Sequence, residues 1–314
     1  MAQKAPGKSH RKGLTLIQLG EMFPTDAAAQ AWFAEARWPD GPYCPRCGSF
    51  NVQSNIKHRT MTHRCRECPD KRMFSLKTGT VMEGSKLGYR LWAIAVYLVT
   101  TNLKGVSSMK LHRDLGVTQK TAWHLAHRIR KSLEMPEAPF SGPVEVDETY
   151  IGGKRKNMPK AKRKALKGRS GAGKEIVAGV KDRLTNIVVA APVKAADKPT
   201  LQGMIGAAAV PGATIYTDEA KAYQGMPFPH EAVNHSAGEY VRQQAHINGM
   251  ESFWSMLKRG YHGTYHHMSP KHLNRYVTEF SGRHNDREAD TVDQMRHIAE
   301  GMDGKRLRYR DLIA

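Results

Sequence analysis

The sequence predicts a multidomain protein: a small cysteine-bearing β module, a helical region patterned as a helix-turn-helix, and a mixed α/β (α+β) domain built on a five-stranded sheet. Three observations predict it. The four cysteines, Cys44, Cys47, Cys65 and Cys68, form two C-x2-C pairs separated by 17 residues. Two amphipathic stretches then flank Gly116. Beyond Pro143, short apolar runs alternate with helical patterns, as helices packed on a sheet require. At 314 residues the chain is too long for one small core, and its 40% hydrophobic content is enough to fill several. The expected division is 1–40 (basic arm and helix), 41–76 (cysteine module), 77–135 (helical region), 136–143 (linker), 144–290 (α/β domain) and 291–314 (tail).

Charge narrows the partner. There are 49 Lys+Arg against 29 Asp+Glu, a formal net charge of +20. An excess of that size suits a polyanion, and nucleic acid fits it better than an anionic membrane. No apolar run approaches the roughly 20 residues of a membrane-spanning helix, and the amino terminus lacks a secretory apolar stretch. The chain is therefore expected to be soluble and cytoplasmic, associated with the nucleoid.

Residues 1–13 are basic and read equally as a phosphate-touching arm or a solvated tail. Thr25 and Asp26 are plausible caps for a helix that places Trp32, Phe33 and Ala36 on one face. The cysteines follow. Without a secretory signal, paired C-x2-C spacing reads as one structural zinc ion held by four thiolates rather than as disulfides. Gly48 suits the tight turn after the first pair. His58 and His63 are surplus to a four-thiolate shell and are read as surface or DNA-facing.

The segment Leu87–Thr100 reads as a buried helix. Next, a helix over about Ser107–Leu115 ends at Gly116, and Thr118 caps a second helix whose Ala122, Leu125, Ala126 and Ile129 face a partner. Gln119, Lys120, Trp123, His127, Arg128 and Arg130 point elsewhere. The first five are expected to meet DNA, because the start of such a second helix reads the major groove. An ordinary helical hairpin with a wet basic face is the alternative.

The prolines of Met135–Pro143 mark a linker. Residues 144–153 read as a strand ending at a glycine pair. Eight Lys/Arg follow between Lys154 and Lys167. Lys154, Arg155 and Lys156, with Arg259 further on, are the expected phosphate contacts there. Residues 168–175, G-R-S-G-A-G-K-E, imitate a phosphate-binding loop. Glu175 stands where a Ser or Thr must hold Mg²⁺, so nucleotide binding is rejected. Two more strands complete an antiparallel meander. A short helix over Asp197–Ala209, a strand T-I-Y-T-D (214–218) and another near Ala232–His235 lead to two helices. The order read is three strands, helix, strand, helix, strand, helix.

His246–Lys258 organises the chemistry. As a helix it lines up Met250, Phe253, Trp254 and Leu257, while Glu251 and Lys258 share another face. Asp147 and Asp218 each close an apolar run; if those strands are neighbours, their carboxylates lie side by side. Three acids so placed repel unless cations separate them. Hard oxygen donors suit two Mg²⁺ or Mn²⁺ ions, which at a spacing of about 3.5–4 Å activate an attacking oxygen and stabilise the leaving one. His246, His262, His266 and His267 are expected to hydrogen-bond or pack rather than bind a second zinc.

The motifs V-D-E-T-Y-I-G-G-K (146–154), Y-T-D-E-A-K-A-Y (216–223) and H-I-N-G-M-E-S-F-W through V-T-E-F (246–280) make the chain resemble IS1595-type insertion-sequence transposases with an ISXO2-like domain. C-P-R-C-G-S (44–49) and the helical pair match the amino-terminal half of that family, and the likeness spans about residues 41–287. The resemblance implies an RNase H-like domain, a zinc ribbon, and an enzyme of the DDE type that binds terminal inverted repeats, then cuts and joins DNA. It implies Asp147, Asp218 and Glu251 as the catalytic, metal-holding acids and Lys258 as the basic residue at the cut. Some relatives carry asparagine in the third place, which leaves Asn248 as the alternative to Glu251. Synapsis of two element ends implies a homodimer or larger assembly. A related nuclease or resolvase without strand transfer, and a non-catalytic DNA-binding regulator, are the competing classes.

Overall fold

The structure, a computed structural model, describes residues 11–134, 139–166, 171–233 and 246–314. The expected arm before residue 11, the start of the linker, residues 168–170 of the loop-like 168–175 segment, and 234–235 of the last expected strand lie outside them. The chain forms two compact units, one of residues 1–134 with 286–314, the other of residues 135–285. No helix among the described residues is long and apolar enough to cross a membrane.

The first unit begins with α1 (Leu16–Met22), closed by a capping box between Thr15 and Gln18, and α2 (Asp26–Arg37), capped by Thr25. Three very short strands, β1 (Val52–Gln53), β2 (His63–Cys65) and β3 (Met73–Phe74), form an antiparallel sheet in sequence order. Then come α3 (Tyr89–Thr101), α4 (Ser108–Leu115) and α5 (Gln119–Ser132). Gly116 ends α4 at φ 62°, a left-handed conformation costly for other residues, and Thr118 caps α5 by accepting the Thr121 N–H. The apolar stripe of α5, from Ala122 to Ile129, packs into the same core as Trp92 and Val96 of α3.

The second unit opens with β4 (Val144–Ile151). A 3₁₀ turn at Arg155–Asn157 and α6 (Lys160–Ala165) precede β5 (Glu175–Asp182), β6 (Val188–Val193) and α7 (Lys198–Ala208). Next are β7 (Ile215–Asp218), β8 (His230–Val233), α8 (Asn248–Gly260) with a π-turn at Tyr261–Tyr265, and α9 (Leu273–Asn285). The sheet runs β6-β5-β4-β7-β8; the first three strands are antiparallel, and β4, β7 and β8 are parallel. Side-chain alternation sorts the two faces. Val144, Val146, Ala178 and Val180 pack with Leu201 and Ile205 of α7. Ile151 and Val177 pack with Phe253, Trp254 and Leu257 of α8 and with α9.

Three expectations are corrected. Between β7 and β8 there is no helix, only a 3₁₀ turn at Lys221–Tyr223, because Gly225, Pro227 and Pro229 interrupt the short connection. Asp147 lies in the middle of β4 rather than at its end, since Glu148–Ile151 continue the ladder against β5. The expected tail is no tail: α10 (Thr291–Glu300) and α11 (Tyr309–Ile313) belong to the first unit, where Met295, Ile298 and Met302 enter the core of α2, α3 and α5.

Candidate active site and metal centre

Two turns bring the cysteines together in the first unit. Gly48, at φ 75°, lets the chain fold back after Cys47, and its N–H donates to the Cys44 carbonyl. All four sulfurs lie within 4.8 Å of one another, with Cys44–Cys68, Cys47–Cys65 and Cys47–Cys68 separations of 3.5, 3.6 and 3.4 Å. A tetrahedral ion with metal–sulfur bonds of about 2.3 Å sets sulfurs about 3.8 Å apart, so the centre fits one zinc ion. His63, expected at the surface or facing DNA, is half-buried. Its ring stacks on Phe74 at 5.3 Å and meets Trp38 at 4.9 Å, because the short sheet needs aromatic cover.

In the second unit, the parallel pairing of β4 with β7 matches Glu145 to Tyr216. Asp147 and Asp218 are each two residues further on, so the register sets them level on adjacent strands. Across the other edge, Asp147 faces Gly179 of β5. A Cβ on Gly179 would fall 2.9 Å from the Trp254 ring and 2.6 Å from Met250. That vacancy admits the indole, whose Nε1–H donates to Asp147 Oδ2 at 3.0 Å. The Glu148 N–H donates to Asp147 Oδ1 at 2.8 Å. Burial, then the charges of Glu148 and Asp218, push the Asp147 carboxyl up to about 7, against these two donors.

Glu251 and Lys258 line a cleft of about 530 Å³ together with Asp147, Glu148, Arg259 and His262. An adjoining groove of about 980 Å³ carries Lys154, Lys174 and Lys258. Among the described residues, no three acidic side chains approach within 4.8 Å as the cysteines do. Asp147, Glu148 and Glu251 thus line one cleft, whereas Asp218 is not among its lining residues and is tied to Asp147 through the β4–β7 register. Their all-oxygen donor set, and the raised Asp147, suit a hard divalent cation.

The expected DNA contacts divide. Gln119 and Lys120 are exposed at the start of α5, and Lys154, Lys156 and Arg259 are exposed in the second unit. Trp123 is half-buried against His127 and Tyr309. Two are corrected. His127 is fully buried, and Arg128 is buried with its guanidinium on the carbonyls of Leu307 and Glu83, because the carboxyl-terminal segment covers a second face of α5. Arg155 is half-buried and donates to the Leu166 carbonyl at 2.6 Å, so it closes its own loop.

Sequence reasoning missed Glu145, Glu148 and Tyr223. Glu145 is buried on the face of α8, where it accepts from the Met250 N–H at 2.9 Å and pairs with Arg183 at 2.8 Å. It thereby caps the helix that carries Glu251. On the opposite face, Tyr223 O–H donates to Glu148 Oε2 at 2.6 Å. Burial raises Glu148, the phenol opposes that rise, and Asp218 adds to it. The period-2 alternation of V-E-V-D-E was a signal that Glu145 shares a face with Asp147.

Comparison with known proteins gives concordant matches. The ISXO2-like transposase domain matches residues 139–285, and the transposase zinc-ribbon domain matches residues 24–71. A Halobacterium salinarum protein described as an uncharacterized protein in transposable element ISH50 is 30% identical over 251 residues, covering 76% of this chain and 83% of that one.

Proposed function

Since the chain belongs to the IS1595-type insertion-sequence transposases, we propose that it binds the terminal inverted repeats of its element and cleaves and joins DNA through Asp147, Asp218 and Glu251. The sheet order, with the first strand central and flanked by the second and the fourth, supports reading the second unit as RNase H-like. The observation that carries the proposal is the β4–β7 register, which levels Asp147 with Asp218 under the helix bearing Glu251.

Asp147, Asp218 and Glu251 would hold one or two Mg²⁺ or Mn²⁺ ions, whose chemistry is to activate the attacking oxygen and to offset charge on the leaving one. The chain's own residues do the rest. Trp254 fixes one oxygen of Asp147, leaving that carboxylate little freedom to turn away. Lys258 and Arg259, on the same helix as Glu251, supply positive charge in the cleft, where a scissile phosphate needs it. Lys154 and Lys174 continue that charge along the adjoining groove for the flanking backbone. In the first unit, Gln119 and Lys120, exposed at the start of α5, would be the base readers if α5 acts as the second helix of a helix-turn-helix. The zinc-held module adds a rigid basic surface, and joining two ends requires at least two copies of the chain.

The test is metal-dependent nicking of duplex DNA carrying the element's ends, wild type against Asp218→Ala. Nicking and strand transfer of a labelled end, lost on substitution while binding persists, is the expected result. Nicking without strand transfer would make it a nuclease. Footprinting without nicking in wild type would make it a regulator.

A further inference from the structure

The carboxyl-terminal segment lies outside both matched domains, yet it runs along the whole of α5 in the opposite direction. Lys305 Nζ donates to the Ser132 and Glu134 carbonyls at 3.2 and 2.5 Å, neutralising the carboxyl end of the helix. One turn on, the Leu307 carbonyl hydrogen-bonds His124 and Arg128, each at 3.2 Å. Further along, the Tyr309 ring lies 4.5 Å from Lys120 Nζ and meets Trp123 edge-on. Leu307 and Leu312 are buried beneath. The segment is thus a strap anchored at three levels of the helix.

The outer side of the strap is basic. Arg306, Arg308 and Arg310 have side chains 52%, 46% and 74% exposed. Arg306 and Arg308 line a groove of about 520 Å³ together with Lys86 and Lys120; Arg310 lies outside it. Glu83 pairs with Arg306, and Asp311 with both Arg308 and, at 3.8 Å, Arg310; two acids against these arginines, Lys86 and Lys120 leave the cations in excess. Burial, and then Arg306, lower the Arg128 guanidinium to about 10 despite Glu83. Cations of one sign are therefore crowded beside the start of α5, an arrangement whose electrostatic cost an anion would relieve.

We propose that the strap, Lys86 and Lys120 form a track for the phosphate backbone of the duplex whose bases the start of α5 would read. This rests on the DNA-binding reading of α5 and extends it: the strap would be a backbone clamp that fixes the register of the helix. Phosphate contacts of this kind position a protein without reading sequence.

The experiment uses the full chain, titrated by fluorescence anisotropy with an end-bearing duplex and a scrambled duplex of equal length, at several salt concentrations. The main variant combines Arg306→Gln, Arg308→Gln and Arg310→Gln. The ion pairs it removes are largely exposed and worth little, so melting should hold. Lys86→Gln, elsewhere in the groove, tests the track without touching the strap. The slope of log K against log salt should fall by about 0.9 for each lost phosphate contact, and affinity should drop on the order of tenfold or more at ~0.1 M salt, equally for both duplexes. Lys86→Gln should lose about one contact's worth. Unchanged slopes and affinities in both variants, with wild type binding, would overturn the track and leave DNA binding by α5 standing. No binding by wild type would remove the DNA-binding reading, and the track with it.

Discussion

Asp147 and Gly179 face each other across the β4–β5 ladder, and the side chain Gly179 lacks is the room in which Trp254 reaches Asp147. Gly179→Ala therefore tests the acid's support without touching the acid. The Met250 methyl can yield, but the Trp254 ring at 2.9 Å is held by the α8–α9 core. Overpacking of this kind costs about 1–3 kcal/mol. End cleavage should fall by more than the loss of folded protein accounts for, with end binding retained. Melting and cleavage measured side by side check this; unchanged cleavage would show that the indole does not matter to Asp147.

Glu145 is the second support. Its carboxylate is 2% exposed, pairs with Arg183, and accepts the Met250 N–H. Glu145→Ala removes the carboxylate partner of a guanidinium that keeps its His246 bonds and its place 4.2 Å over Tyr216, and leaves a helix N–H without its acceptor. The expected loss is about 3–5 kcal/mol, as for other broken buried pairs. Glu145→Gln keeps an acceptor and should lose less. Urea unfolding of wild type and the two variants orders them, and wild-type stability in both variants would mean that neither contact matters.

What could be read from the sequence was local, and what could not was remote. Gly116, Thr118 and Thr25 announce helix ends within a few residues of themselves, and the structure uses each in that role. The α8 stripe and the C-x2-C pairs are equally self-contained. The buried places of His127 and Arg128 were not legible, because the covering segment lies about 180 residues away along the chain. The apolar positions of α10 were visible at helical spacing, but nothing local told that they fill the core of the first unit. Among the acids, Asp218 sits at the end of its strand as read, whereas the length of β4 beyond Asp147 depends on pairing with β5.

The cysteine centre carries a prediction about metal. Strands of two, three and two residues bury little on their own, so an ion held by the four cysteines would supply much of the order. The purified protein should contain one zinc ion per chain by elemental analysis. Chelation or Cys65→Ser should abolish a melting transition of the first unit and weaken end binding. The second unit has no cysteine and should keep its Trp254 fluorescence. A stoichiometry near zero with full end binding would end the zinc assignment.

Asn248 and Glu251 stand one turn apart at the start of α8, both exposed, and either could be the third ligand by spacing alone. Glu251 lines the cleft with Asp147 and Lys258; Asn248 does not. A carboxylate also binds a hard cation better than an amide, since it brings charge as well as an oxygen. Residues that merely support a metal ligand cost about 10–100-fold when removed. Glu251→Gln should therefore lower end nicking by at least about a hundredfold and raise the Mn²⁺ concentration needed for half-maximal rate. Asn248→Ala should cost less than about tenfold and leave that concentration alone. The metal titration adds a readout besides rate, because losing a ligand raises the half-maximal point more than disturbing its support does. The reverse ordering, with Asn248→Ala shifting the Mn²⁺ requirement and Glu251→Gln near wild type, would give the third position to Asn248 and make Glu251 a solvated residue on the rim.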